Sequence, residues 1–177
     1  LTETIKIKQA DIKDLEVLAL LGRLTWIETF SSLFKKRIHV QEYADENFSI
    51  ETIKSFIDNP NAYFWIAYVN DLPIGYAKIE MNVVSDHVKG KNVCKLINLY
   101  VFSDFHSKKI GRLLWSNILN KVNALDCDKM WLAVLSTNIK AINFYLKNDF
   151  YNDDAFDLNI GDERFVMNIM VKDFKNK

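Results

Sequence analysis

Two strand–turn–helix signatures, one behind the other, constrain this chain more than any bulk property does. Leu99-Tyr100-Val101 closes an apolar run, and His106-Ser107-Lys108-Lys109-Ile110-Gly111-Arg112 follows it into a helical pattern. Further on, Asn138-Ile139-Lys140-Ala141-Ile142-Asn143-Phe144-Tyr145 opens a second helix behind a second apolar run. A strand that turns directly into a helix aims free N–H groups and the positive end of the helix dipole at the turn, which favours an anion there. Lys108, Lys109 and Arg112 add charge around that turn, and the arrangement predicts a pyrophosphate site.

The rest of the pattern is mixed α/β. Thr4 to Lys8 alternates as a short strand, and Asp11 is placed to cap a helix that ends before Lys35-Lys36-Arg37. Two short helices broken near Phe48-Ser49 fill residues 38–58, and a hairpin follows across Asn70-Asp71. Ser85 to Asn92 is polar enough for a loop, and Val93 to Val101 reads as a buried strand. Ile110, Leu113, Leu114, Ile118, Val122 and Leu125 recur at helical steps, which predicts a helix over 107–125. A strand at Met130–Leu135, a helix at 138–147 and two strands near 156–160 and 165–171 complete the chain. This length suits one domain, 1–177, with a substantial core and no interdomain linker. The expected architecture is a central mixed sheet, mostly antiparallel, flanked by helices.

The turn and the helix behind it resemble the Gcn5-related N-acetyltransferases, the GNAT family. Their loop reads Gln/Arg-x-x-Gly-x-Gly/Ala after a strand ending in a triplet like Leu99-Tyr100-Val101; here His106, Lys109 and Gly111 hold those positions. The family's Asn-x-x-Ala-x-x-Phe-Tyr-x-x-x-Gly-Phe is matched by Asn138, Ala141, Phe144, Tyr145 and Phe150, with Asp149 in place of Gly. Asp71 to Ala77 is similar to the family's hairpin into its third strand. The resemblance implies acetyl-CoA as co-substrate, lying where the sheet splays. Leu99 and Val101 would pair with its pantetheine arm, the backbone amides of Lys108 through Arg112 would hold the pyrophosphate, and His106 and Ser107 belong with them to the cofactor-binding residues. An amide of Leu99 or Tyr100 would stabilise the thioester oxygen as it gains charge. Asn138 would bond the cofactor arm, and Lys147 would reach a CoA phosphate. Tyr145 would give its proton to the departing thiolate, because a phenol of pKa ~10 can protonate a thiol of pKa ~8.5 when well placed. Glycine at position 109 would suit a positive φ, so Lys109 there implies about 1 kcal/mol of strain.

The acceptor amine must lose a proton before it attacks. Many members of the family place a Glu on the strand before the loop for this purpose, and here Lys95, Ile97 and Asn98 stand there instead. Glu28 and Glu80 are substitutes by position, with His106 behind them. Within the family the layout resembles the bacterial spermine/spermidine acetyltransferases, which implies a polyamine acceptor. Glu28, Glu42, Asp45 and Glu46 among Trp26, Phe30 and Tyr43 have the chemistry to hold one. An acetyltransferase of protein N-termini and an acyl-CoA-binding regulator without turnover are the competing readings.

Lys+Arg and Asp+Glu balance at 23 each, so no net field draws nucleic acid or an anionic membrane. Cys94 and Cys127 show no metal-ligand spacing and are not placed as nucleophiles, and no metal is expected. No apolar run approaches the ~20 residues of a membrane helix, and Leu1 to Ala10 has no signal-peptide core. A cytoplasmic protein acting on a small-molecule amine is expected, and the terminal strands with Phe165, Val166 and Met167 could form a homodimer edge.

Overall fold

A computed structural model describes residues 3–83 and 88–174. Seven strands form one sheet in the order β1-β2-β3-β4-β5-β7-β6. They are β1 (Ile5–Gln9), β2 (Ala62–Val69), β3 (Leu72–Met81), β4 (Val93–Val101), β5 (Lys129–Leu135), β6 (Tyr151–Ile160) and β7 (Glu163–Asp173). The helices are α1 (Leu15–Phe30), α2 (Arg37–Asn47), α3 (Ile50–Ile57), α4 (Ile110–Ala124) and α5 (Ile139–Leu146). Pairing is antiparallel at β1–β2, β5–β7 and β6–β7, and parallel at β4–β5. The mixed, mostly antiparallel sheet expected from the sequence is present. The chain groups into two compact units, Leu1–Ile79 with Asn98–Asn120, and Glu80–Ile97 with Lys121–Lys177.

In the first unit Asp11 accepts from the Lys13 amide at 2.8 Å, while Asp14 reaches back to the Asp11 amide at 3.0 Å. This reciprocal cap starts a 3-10 turn that leads into α1. Lys8 lies 2.8 Å from Asp14, and its ammonium, with the Asp11 amide, outweighs the burial that would raise the Asp14 pKa and leaves it lowered. Leu18, Ile66, Ile74, Ile110, Leu114 and Ile118 are fully buried in this unit. Gly75 on β3 is dictated by close approach: a Cβ there would stand 2.5 Å from the Tyr100 carbonyl oxygen and 2.9 Å from the Val101 Cα. The Phe102 amide donates to the Ile74 carbonyl at 2.9 Å, so β3 pins the C-terminal end of β4.

In the second unit the parallel register takes Val93, Cys94 and Lys95 of β4 against Lys129, Met130 and Trp131 of β5. Val88, Val93, Trp131, Ile169 and Val171 make its apolar core. The two cysteines, distant in sequence, meet here as free buried thiols with sulfurs 3.2 Å apart. Cys127 and burial together push the Cys94 thiol far above its usual pKa.

Three expectations are corrected. The α4 helix begins at Ile110 rather than at 107, because Ser103–Lys108 is a 3-10 turn and Lys109 takes a left-handed conformation. The β6 and β7 strands are longer than expected; β6 starts at Tyr151 and carries a register shift between Asn152 and Asp154. Phe165, Val166 and Met167 lie on β7, between β5 and β6, so the free edge at that end is β6 instead. Part of the polar segment from Ser85 to Asn92 lies outside the described residues.

Candidate functional site

The first unit carries the turn. After Val101 the chain makes the 3-10 turn Ser103–Lys108, then Lys109 adopts φ 58° and ψ 20°. Such a left-handed residue reverses the chain so that α4 starts at once, and the Lys109 carbonyl accepts from the Arg112 amide at 3.0 Å. The amides of Ile110 and Gly111 stand at the very start of α4, where the helix itself supplies no carbonyl partner. A Cβ on Gly111 would meet no atom within 4 Å, so space lies open beside those amides. Open space, helix-start amides and nearby cations are what a pyrophosphate needs, and these residues fit the group.

Each predicted loop residue has a distinct place. The His106 ring bonds the Val101 carbonyl through Nε2 at 2.8 Å, bracing the end of β4. Ser107 and Arg112 are exposed, and Lys108 pairs with Glu3. The Ile110 side chain is fully buried, so only its backbone can serve a ligand. Leu99, Tyr100 and Val101 are half-buried.

Aromatic side chains surround Tyr100. Its ring meets Phe30 edge-on at 6.2 Å and Tyr76 at 6.0 Å. Trp26 lies 4.2 Å from Phe30 and stacks on Tyr43 at 4.1 Å. The Trp26 indole N–H and the Tyr76 hydroxyl are buried without a partner among the described residues. Burial raises the Tyr76 pKa well above its normal value, and Thr25, which would lower it, donates its own proton to the Leu21 carbonyl at 2.7 Å. Several of the acids offered for a polyamine are already engaged. Asp45 pairs with Arg23, Glu42 lies 3.5 Å from His39, and Glu28 accepts from Ser103.

The second unit carries the other motif. Asn138 is the N-cap of α5, its oxygen accepting from the Ala141 amide at 3.1 Å, which leaves its side-chain NH₂ as a donor. Tyr145, two turns on, is 9% exposed and packs edge-on against Phe144 and Phe150. Burial drives its phenol pKa far above the usual value, so the group keeps its proton throughout the neutral range. Lys147 is exposed at the end of α5. Asp149, at the family's glycine position, has φ 63°, and the Phe150 amide turns back to the Tyr145 carbonyl at 3.1 Å. Glu80 raises and burial lowers the pKa of Lys95, with burial the larger effect; the Lys95 ammonium lies 4.4 Å from the Trp131 ring. Ser103 is the residue that sequence reasoning missed, because nothing local marks it as the partner of Glu28 in α1.

The model of the Acetyltransferase (GNAT) family matches residues 26–150. The chain belongs to the GNAT family. It is therefore an acetyl-CoA-dependent N-acetyltransferase. A spermidine N(1)-acetyltransferase of Thermoplasma acidophilum is 27% identical over 159 residues, spanning 86% of this chain and 91% of that protein. The crystal structure of PaiA N-acetyltransferase from the same organism, in complex with coenzyme A, superposes with a TM-score of 0.76 at 23% identity, covering 97% of this chain and 99% of that one. NAA60 of Arabidopsis thaliana, in complex with a bisubstrate analogue, gives 0.72 at 16% identity, covering 97% of this chain and all of that one. At these identities the two structures speak for the GNAT fold alone. No helix among the described residues is long and apolar enough to cross a membrane.

Proposed function

We propose that this GNAT enzyme acetylates a primary amine of a polyamine by direct attack within a ternary complex, with no acyl-enzyme. The observation that carries the acceptor class is the aromatic cluster of Trp26, Phe30 and Tyr43, which reaches Tyr100 of β4 through Phe30. Ring faces attract alkylammonium groups. The Thermoplasma relative, named for spermidine, supports the same class.

Acetyl-CoA supplies the acetyl thioester. In the first unit the amides of Ile110 and Gly111 hold the pyrophosphate, with Lys109 and Arg112 adding charge; Leu99 and Val101 offer backbone groups to the pantetheine arm. The amide of Leu99 or Tyr100 takes up the charge developing on the thioester oxygen. In the second unit the Asn138 side-chain NH₂ bonds the cofactor arm and Lys147 serves a phosphate. As the amine nitrogen bonds to the acetyl carbon and the C–S bond breaks, Tyr145 gives its proton to the leaving sulfur. Burial keeps a proton on the Tyr145 oxygen through the neutral range, and the same burial makes it a weaker acid than a free phenol, so its role rests on its place in the Asn138-to-Tyr145 motif. Glu80, half-buried on β3, remains a candidate to receive the amine's proton.

The test is CoA-thiol release with acetyl-CoA against spermidine, spermine, amino acids, aminoglycosides and short peptides. Preferential turnover of the polyamines is expected. Preference for peptides would move the acceptor to protein N-termini. Silence across the panel, with acetyl-CoA still raising the melting temperature, would favour a regulator.

A further inference from the structure

We infer that Glu28 is a positioning residue for the acetyl-CoA turn, acting through Ser103. Its two carboxylate oxygens face one partner. Oε1 accepts from the Ser103 hydroxyl at 2.7 Å and lies 3.3 Å from the Ser103 amide, while Oε2 lies 3.2 Å from that amide. Ser103 opens the 3-10 turn that leads to Lys109 and the α4 amides. Three successive ties therefore fix the exit of β4. The Val101 carbonyl bonds the His106 ring, the Phe102 amide bonds Ile74, and Ser103 bonds Glu28.

Only the last of these ties involves a charge from a separate helix. Hydrogen bonds to an ionised carboxylate are shorter and about twice as strong as neutral ones. Glu28 is exposed, so its carboxylate meets Ser103 with little desolvation cost. Releasing Ser103 frees the turn at its first residue and lets the helix-start amides swing off the phosphates. A misplacement of about 1 Å is enough to cost a bound group much of its contribution. A carboxylate committed to Ser103 in this way is poorly disposed to take a proton from an amine, and Glu28 is removed from the set of candidate bases.

This inference rests on the reading that residues 106–112 take the pyrophosphate, and the experiment separates the two. Steady-state kinetics and calorimetric CoA binding would be measured for Glu28→Gln, Ser103→Ala and the double variant, with Ser103→Thr as the conservative control. Each single variant is expected to raise the acetyl-CoA KM about five- to tenfold, leaving kcat within about twofold and its pH profile unmoved. The double variant should be no worse than the more affected single, and Ser103→Thr should bind as the native chain does. A fall in kcat for Glu28→Gln, with an altered pH profile and a native acetyl-CoA KM, would make Glu28 a base and overturn the inference. Additive losses, or a lower melting temperature with native KM, would also overturn it. If Gly111→Trp left CoA affinity intact, the turn assignment itself would fail, whatever the Glu28 variants do.

Discussion

Two turns in this molecule solve the same backbone problem with different residues. Lys109 ahead of α4 and Asp149 behind α5 both sit in the left-handed region, at φ 58° and φ 63°, where the family pattern has glycine. A lysine there carries the full clash of its Cβ with the backbone, about 1–2 kcal/mol. An aspartate tolerates the region better, and Asp149 also pairs with Lys172 at 3.1 Å. The Lys172 ammonium bonds the Asn148 carbonyl too, at 2.9 Å, so the α5 turn is tied down by a neighbouring strand. The strained turn is the one that leads into the amides proposed for the pyrophosphate. Glycine is thus dispensable for the shape of either turn, and what it sets is the cost of holding that shape.

Four variants sharpen or break this comparison. The largest effect belongs to Tyr145→Phe, which should lower kcat about a hundredfold with little change in the acetyl-CoA KM. Because burial raises the Tyr145 pKa, the native kcat should show no basic limb from this group below about pH 10. The linkage sign is the same: folded-state stability from the raised pKa is complete below the unfolded value and drains as pH climbs through the folded one, so Tyr145→Phe should lose less stability in alkali. An unchanged kcat would remove Tyr145 from the acid role.

Gly111→Trp comes next. It should weaken acetyl-CoA binding at least tenfold by calorimetry, at roughly native stability, since its side chain enters open space. Lys109→Gly should then stabilise the fold by about 0.5–1 kcal/mol in urea unfolding, strain relief exceeding the entropy that glycine adds to the unfolded chain. Smallest is Asp149→Gly, expected within about 0.5 kcal/mol of native, because the relief is smaller and an exposed ion pair is lost. Equal responses at 109 and 149 would erase the distinction between the turns.

What the sequence disclosed follows from how far each signal reaches. The α4 periodicity and the Asn138-to-Tyr145 spacing are local, and both helices are where the pattern puts them, within a turn. The start of α4 slipped from 107 to 110 because one left-handed residue outweighs any apolar spacing. The first half of β6, Tyr151 to Ala155, is polar and exposed, so it shows no alternation; its pairing to β7 makes it a strand. Long-range partners were illegible. Glu28 and Ser103 lie 75 residues apart, and Cys94 and Cys127 lie 33 apart, and only the folded chain brings either pair together.

The outer strand β6 carries acidic side chains along its exposed half. An outermost strand offers unpaired backbone groups to any other chain. Here Asp153 and Asp154 sit at the register shift, and Asp157, which faces Val166 on β7, pairs diagonally with Arg164 at 2.5 Å. A second copy approaching β6 to β6 would meet like charge at Asp153 and Asp154, which disfavours strand-to-strand growth along this edge. The protection is electrostatic. It fades as salt shortens the reach of those carboxylates to a few ångströms, about 3 Å at 1 M.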